Sequence, residues 1–497
     1  MMEQSNRIAT LLSWCSTNNI EIDKRLHVVP DATGLAMYSG ETSIGTLQTI
    51  VKIPKAAVLS VKSCSASHFI ENSPYGIEAQ CALALALLIE MERGTGSRWH
   101  GYLQSLPHNI INLPVFWGLE VEGRTLEDGK EALKWLRGTE VEKLLVGSDG
   151  TPLIDTLHRY YDEIVTPTVD RLSSEYHLSP HPTFHHFCRA YSLVSSRAFL
   201  VDAYHGLSMV PIADAFNHTY DHHVHLETEY EVCPECGSLQ QCPHDRDIEL
   251  ASSHSTTITS LDPVELDDTY DMVSNADIPA HSEIFNTYGE TLSNAQLLAQ
   301  YGFILDVNEN DCISWNLDDL VNLLETDSRS RDPSTPLGLP WDILVKAFNT
   351  DVFSESELIF IPPGATFCIN CEGKVSWQLW LAVAGHKSAR LVPAERILLV
   401  LSDLGRYQTL RETEEDTDIN DTHNYLLPSL ARETASDIVK LCRQRRICLG
   451  SGRDQESLGN LVDELNASQS RTKLALLQTI TELSILHSCE AVWQNRE

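Results

Sequence analysis

An apolar run, Leu207-Ser208-Met209-Val210-Pro211-Ile212, leads into Asp214-Ala215-Phe216-Asn217-His218. The chain then turns polar at once, through Thr219, Asp221, His222, His223 and His225. The run has the length of one short buried strand. An amide and an imidazole at the end of such a strand are placed to hold a polar ligand against a dry interior. Upstream stands Ser196-Arg197-Ala198-Phe199. Downstream comes a segment that reads as the partner of the first: Glu283-Ile284-Phe285-Asn286-Thr287-Tyr288-Gly289, then Ser293-Asn294, then Tyr301-Gly302-Phe303.

The chain has 497 residues, more than one ordinary core, so two or three domains are expected. A hydrophobic fraction of 42% and a charged fraction of 21% are those of a soluble globular protein. The formal net charge of −34 argues against nucleic acid as a direct partner, because no basic run offsets it. An acidic surface suits basic protein tails or ribosomal proteins, and it also serves solubility alone. The N-terminus places Ile8, Leu11, Leu12 and Cys15 at helical spacing and lacks the pattern of a signal peptide. Cys81 to Ile89 is too short to span a bilayer and ends in Glu90, which predicts a buried helix and no membrane partner. The 13 cysteines, with no secretion signal, predict free thiols in a reducing compartment, the cytoplasm or nucleus.

In chain order, Leu26 to Val29 reads as a strand running toward Gly34-Leu35-Ala36-Met37, and Leu47 to Ile53 as a second strand that stops at Pro54. A glycine between short strands lets the backbone approach a bound molecule, or simply makes a hairpin turn. From Ser60 to Leu178 the spacing is helical. Ile77 to Met91 is one helix, Trp99, Tyr102 and Leu103 form a short amphipathic turn, and a longer helix crosses 152–175. Phe184 to Ser195 predicts a helix, and Ile284 to Thr287 a strand. Beyond Asp306 the chain is expected to be helical at Leu320 to Leu324, Trp341 to Phe348, Trp377 to Ala384, Ala394 to Leu404, Leu430 to Arg443 and Ser470 to Val492. The acidic stretch Thr413 to Asp421 has no apolar period and reads as a solvated loop.

These spaced motifs, in this order, resemble the SET-domain methyltransferases of the Rubisco large-subunit methyltransferase class. The resemblance implies an α+β fold: a β-rich SET domain split by a helical insert and followed by a C-terminal all-helical domain. The expected boundaries are 1–60 for the N-terminal helix and first part of the SET domain, and 61–183 for the insert. The second part of the SET domain follows at 184–305, with a Cys/His insertion at 231–260, and a substrate-binding helical domain at 306–497. A pseudoknot, with the segment around Asn286 to Gly289 threading past the Asn-His loop, is also implied.

The implied cofactor is S-adenosylmethionine and the implied reaction is methyl transfer to a lysine of a protein, non-histone and possibly ribosomal. By resemblance, Tyr288 and Tyr301 match active-site tyrosines around the methyl and the lysine channel. Gly34, Leu35, Ala36, Arg197, Phe199, Asp214, Asn217 and His218 match cofactor-binding positions. On the residues alone, Tyr288 reads first as a strand-end aromatic packed in a core, and Arg197 equally as a structural ion pair. A lysine amine, with an ordinary pKa near ~10.4, has to be neutral before it attacks, and phenols and carbonyls orient it without placing an anion beside it. Two other readings are a protein-histidine methyltransferase and a catalytically silent SET-like binding scaffold. A monomer is expected.

One further cluster stands apart: Cys233-Pro-Glu-Cys236, then Cys242-Pro-His244. Three thiols and an imidazole are a zinc ligand set, and a structural zinc holding the insertion is expected. The alternative is a polar insertion with reduced thiols. His222, His223, His225 and His254 are other possible ligands.

Overall fold

The computed structural model describes residues 2–31, 34–119, 126–176, 182–228, 232–239, 242–244, 268–317, 319–320, 323, 341–362, 366–412 and 426–496. Ala32, Thr33, His254, most of the 231–260 insertion and the acidic stretch at 413–421 lie outside them. Two compact units form. The first takes Met1–Phe116, Ser148–Glu290 and Gln300–Gly302; the second takes Trp117–Gly147, Thr291–Ala299 and Phe303–Glu497. Residues 117–147, within the segment expected as the helical insert, belong to the second unit.

The first unit is built on small sheets. Leu26–Asp31 and Gly34–Ser39 pair antiparallel, with Asp31 opposite Gly34. A four-stranded sheet runs Glu21–Ile22, Thr49–Pro54, Thr269–Ser274, Val224–Glu227, every pair antiparallel. Its inner residues, Ile50, Val51, Ile53, Tyr270 and Met272, are buried β-branched, aromatic and aliphatic side chains, the types that fill a pleated face. A third sheet joins Leu59–Ser60, Leu207–Met209 and Ala198–Leu200. The apolar run from Leu207 is thus a strand of three residues that ends before Val210.

Around these sheets lie helices. Gly76–Glu92 is buried continuously from Cys81 to Glu90. Glu90 is tolerated inside because its carboxylate accepts from the Ser65 amide at 2.7 Å and the Ser97 hydroxyl at 2.6 Å, with Arg93 at 3.3 Å. The long helix expected across 152–175 is present but widened into a π turn at Tyr161–Val165, between Leu153–Tyr160 and Thr166–Tyr176. Pro167 follows that turn, and its missing N–H cannot continue the regular ladder.

The second unit is mainly helical: Trp341–Ala347, Trp377–Leu391, Ile397–Glu412, Leu426–Cys448, Gln455–Glu464 and Ser470–Gln494. Trp380, Leu401, Leu404, Leu430, Leu486 and Trp493 share one core there. It also holds a four-stranded sheet, Cys312–Trp315, Phe367–Asn370, Val375–Ser376 and Ile359–Phe360, where a run of helices alone was expected. Its strands are two to four residues long, too short for a two-residue period to stand out. No helix among the described residues is long and apolar enough to cross a membrane.

Candidate active site

The helix Phe184–Arg197 delivers the first charge. It opens with a reciprocal cap between Thr183 and His186, buries Phe187, Cys188, Tyr191, Leu193 and Val194, and ends where Ala198 turns extended. Arg197 therefore sits at the junction of a helix and the strand Ala198–Leu200. Its Nη1 donates to the Asp214 carbonyl at 3.0 Å. Gly34 lies against the same guanidinium: a Cβ there would stand 2.8 Å from Nη2, and φ is +148°. Glycine at 34 suits this close approach, because a side chain would make the guanidinium shift and rarely adopts that φ.

Asp214 lies in the single turn Ala213–Ala215, against which Gly34–Ser39 packs. Ile212, just before it, is fully buried with φ +70°. A β-branched residue held there costs about 1–3 kcal/mol, strain of the kind found where a turn must aim a functional group. The Asp214 carboxylate accepts from the Tyr102 hydroxyl at 2.8 Å. Burial raises its pKa, and Arg197 and the Tyr102 bond pull it back. Tyr102 itself is driven well above the ordinary phenol value by burial.

The segment from Ser282 to Tyr288 is held from two sides. On one, the Ile284 amide donates to Met37 and the Ser39 amide to Ser282. On the other, the Asn286 amide donates to the Asn217 carbonyl at 2.8 Å, and the Thr219 and His223 amides donate back to Asn286 and Phe285. It is no regular strand: the bridges from Glu283 and Asn286 to Tyr38, His218 and Val224 are isolated. The partner changes every few residues, so no ladder forms, and the expected strand at Ile284 to Thr287 is corrected on that ground.

These bonds bring the aromatics together. The His218 ring stacks on Tyr288 at 5.1 Å and its Nδ1 accepts from the Tyr288 amide at 3.0 Å. Burial lowers the His218 pKa, with His222 adding to the effect. Tyr288 and Tyr301 stack at 4.6 Å, their planes 25° apart. Burial pushes both phenols up to about 12, so both are un-ionised at neutral pH.

A cavity of about 150 Å³ opens among these groups, lined by Ser196, Arg197, Ala198, Phe199, Leu200, Asp214, Thr287, Tyr288 and Tyr301. Gly34, Leu35, Ala36, Asn217 and His218 do not line it. Gly34 backs Arg197, Ala36 is buried in the strand, and His218 backs Tyr288. The Asn217 amide donates to Glu283 at 2.8 Å, and Glu283 also accepts from Tyr38 at 3.1 Å. The sequence assigns Tyr102, Tyr38 and Glu283 no role at the site. Tyr102 carried no signal, since it meets Asp214 across 112 residues; Glu283 lay within the motif, unmarked by its residue type.

The backbone arrangement matches solved structures. The SET domain of LSMT bound to lysine and AdoHcy aligns over 99% of this chain and 91% of its own, with a TM-score of 0.56 and 16% identity. Rubisco LSMT bound to AdoMet aligns with a TM-score of 0.57, again at 16% identity, over 99% and 92%. The fold is a Rubisco LSMT-type SET fold. By sequence, the chain is similar to ribosomal lysine N-methyltransferase 3 of Saccharomyces cerevisiae, 25% identical over 341 residues. That match spans 56% of this chain and 58% of the yeast protein. N-lysine methyltransferase SETD6 of Bos taurus is 28% identical over 318 residues, spanning 60% of this chain and 56% of that protein. The matched stretch is thus under two thirds of either relative. No family model matches the chain.

The Cys/His cluster lies elsewhere in the same unit. The Sγ atoms of Cys233, Cys236 and Cys242 and a ring nitrogen of His244 all fall within 4.8 Å of one another, so these four could hold a metal ion. His244 Nδ1 is 3.6 Å from the sulfurs of both Cys233 and Cys242. A tetrahedral zinc with ordinary bond lengths sets its ligands roughly 3.5–3.9 Å apart. The Cys233 thiol is pushed down to about 7, first by the Cys236 amide. His222, His223 and His225 are outside this group.

Proposed function

We propose that this protein transfers a methyl group from S-adenosylmethionine to a lysine side chain of a protein substrate. The observation that carries the reading is the meeting of Arg197 and Asp214 with Tyr288 and Tyr301 around one cavity, from two distant parts of the chain. When bound, S-adenosylmethionine supplies an electrophilic methyl on a sulfonium. The cavity fits such a molecule chemically: Arg197 offers a carboxylate partner and Phe199 an aromatic wall. Tyr288 and Tyr301, un-ionised and stacked, can accept from an amine and close out water without placing an anion beside a cation. Asn217 and His218 act from behind, by fixing the segment that carries Tyr288.

Both relatives are named as lysine methyltransferases, which supports lysine as the acceptor, and the yeast name makes a ribosomal protein the substrate to test first. The test is calorimetry with S-adenosylmethionine, followed by mass spectrometry of methylated peptides from cells with and without this protein. We expect binding and the loss of a methyl-lysine. No binding, or loss of a methyl-histidine instead, overturns the reading.

We further propose that the Cys233, Cys236, Cys242 and His244 cluster holds a structural zinc. Elemental analysis should find about one zinc per chain in protein purified without chelator. The compartment we propose, cytoplasm or nucleus, rests on the sequence reading of the cysteines as free thiols.

A further inference from the structure

The cysteine cluster is joined to the cavity wall by a short chain of contacts. Gly237, in the turn between Cys236 and Ser238, has φ +74°, and a Cβ there would stand 2.9 Å from the Tyr204 ring. The ring therefore lies against bare backbone of the cluster. Lys62 clamps the pair: its Nζ donates to the Pro234 carbonyl at 2.6 Å and sits 4.3 Å over the Tyr204 ring. Tyr204 in turn belongs to the tight loop between Ala198–Leu200 and Leu207–Met209, closed by Val201 to Gly206 and Gly206 to Asp202 backbone bonds.

That loop is anchored below by one buried carboxylate. Asp202 accepts from the Tyr204 amide at 3.0 Å, the His205 amide at 2.6 Å and the Tyr270 hydroxyl at 2.6 Å. Lys55 is 3.6 Å away. Burial raises the Asp202 pKa, but the His205 ring at 3.1 Å, the Tyr270 hydroxyl and the His205 amide outweigh it and hold the carboxyl well below the usual carboxylate range. One end of the loop is thus fastened to the central sheet through Tyr270, and Tyr204 is the part that reaches the cluster. Leu200, which lines the cavity, is two residues from Asp202.

We infer that Tyr204 is a positioning residue that braces the cavity wall at Phe199 and Leu200 against the metal-bound cluster of Cys233, Cys236, Cys242 and His244. The inference rests on the metal reading. Its physical basis is that four ligands fixed on one ion make a stiff surface from a short segment, and a ring packed on that surface inherits the stiffness. The wall then depends on a site that touches no reacting atom.

Hydrogen exchange with mass spectrometry on the full chain tests this, with zinc measured on each sample. Tyr204→Ala should keep about one zinc per chain while exchange in residues 199–208 accelerates roughly tenfold. Tyr204→Phe keeps the ring and should exchange like the unaltered protein. Removing the metal with a chelator should accelerate the same segment. If Tyr204→Ala does not fold, Lys62→Ala weakens the clamp from the other side and should give the same change. Unchanged exchange in the folded Ala variant overturns the brace. Acceleration by Tyr204→Ala with no response to metal removal overturns its link to the metal. Absence of zinc overturns the metal reading itself, and elemental analysis tells that outcome from the others.

Discussion

Asp214 in the first unit and Asp128 in the second are both carboxylates drawn in from water, and they are treated differently. Asp128 is buried and saturated: it accepts from the Arg471 and Thr472 amides, each at 3.1 Å, and from the Thr472 hydroxyl at 2.6 Å. It thereby caps the start of Ser470–Gln494 from a distant part of the chain. Asp214 takes a single side-chain bond, from Tyr102, borders a cavity, and follows a strained residue. A saturated carboxylate fastens two elements. Asp214 instead borders a cavity, and burial raises its pKa. Glu482, also in the second unit, is a third case: it accepts from the Glu140 amide at 2.8 Å and Gln478 at 3.0 Å, and burial pushes its carboxyl up to about 8.

The sharpest test of the contrast is Tyr288→Phe. The ring stays and the hydroxyl goes, so packing and S-adenosylmethionine affinity should survive while turnover falls on the order of 10²–10³. Methyl transfer into lysate from cells lacking the protein, with bound cofactor measured alongside, reads both. Full turnover in the variant would make Tyr288 a packing residue, no different in kind from the second unit's aromatics.

Asp128→Ala should act oppositely, lowering stability by about 2–3 kcal/mol in denaturant unfolding and leaving cofactor affinity alone, because it orphans buried amides at a helix start. A loss of affinity without a loss of stability would erase the difference between the two carboxylates.

Glu482 should show itself through pH. A carboxyl whose folded pKa is raised from 4.5 to about 8 is protonated in the folded protein where the unfolded chain is ionised. Stability from this group is complete below pH 4.5 and drains away as pH climbs toward 8, by up to about 1.4 kcal/mol per unit. Glu482→Gln should remove that slope, so the variant gains on the parent between pH 5 and 8. Parallel unfolding curves across that range would show that Glu482 is ionised inside.

The smallest expected effect belongs to Asn217→Ala, about tenfold in S-adenosylmethionine affinity with the fold intact, since one bond to Glu283 is lost behind the cavity. Unchanged affinity in the folded variant would leave Asn217 as a fastener like Asp128.

Much of this was legible in the chain itself. Helices announced themselves by spacing: Ile77 to Met91 and Ser470 to Val492 lie within Gly76–Glu92 and Ser470–Gln494. The order of Ser196–Phe199, Asp214–His218 and Glu283–Gly289 pointed to the SET fold, and the cysteine spacing pointed to a ligand set, because local residue type and separation carry that information. Tertiary structure alone decided the rest. It gave Ser282 to Tyr288 changing partners in place of a strand ladder, wrote a short sheet into the second unit, and aimed Tyr102 at Asp214 and Tyr204 at Gly237. Each of those depends on a contact between residues far apart in the chain. Their energies are set by burial and by which partner arrives, and neither is a property of a residue or its neighbours in sequence.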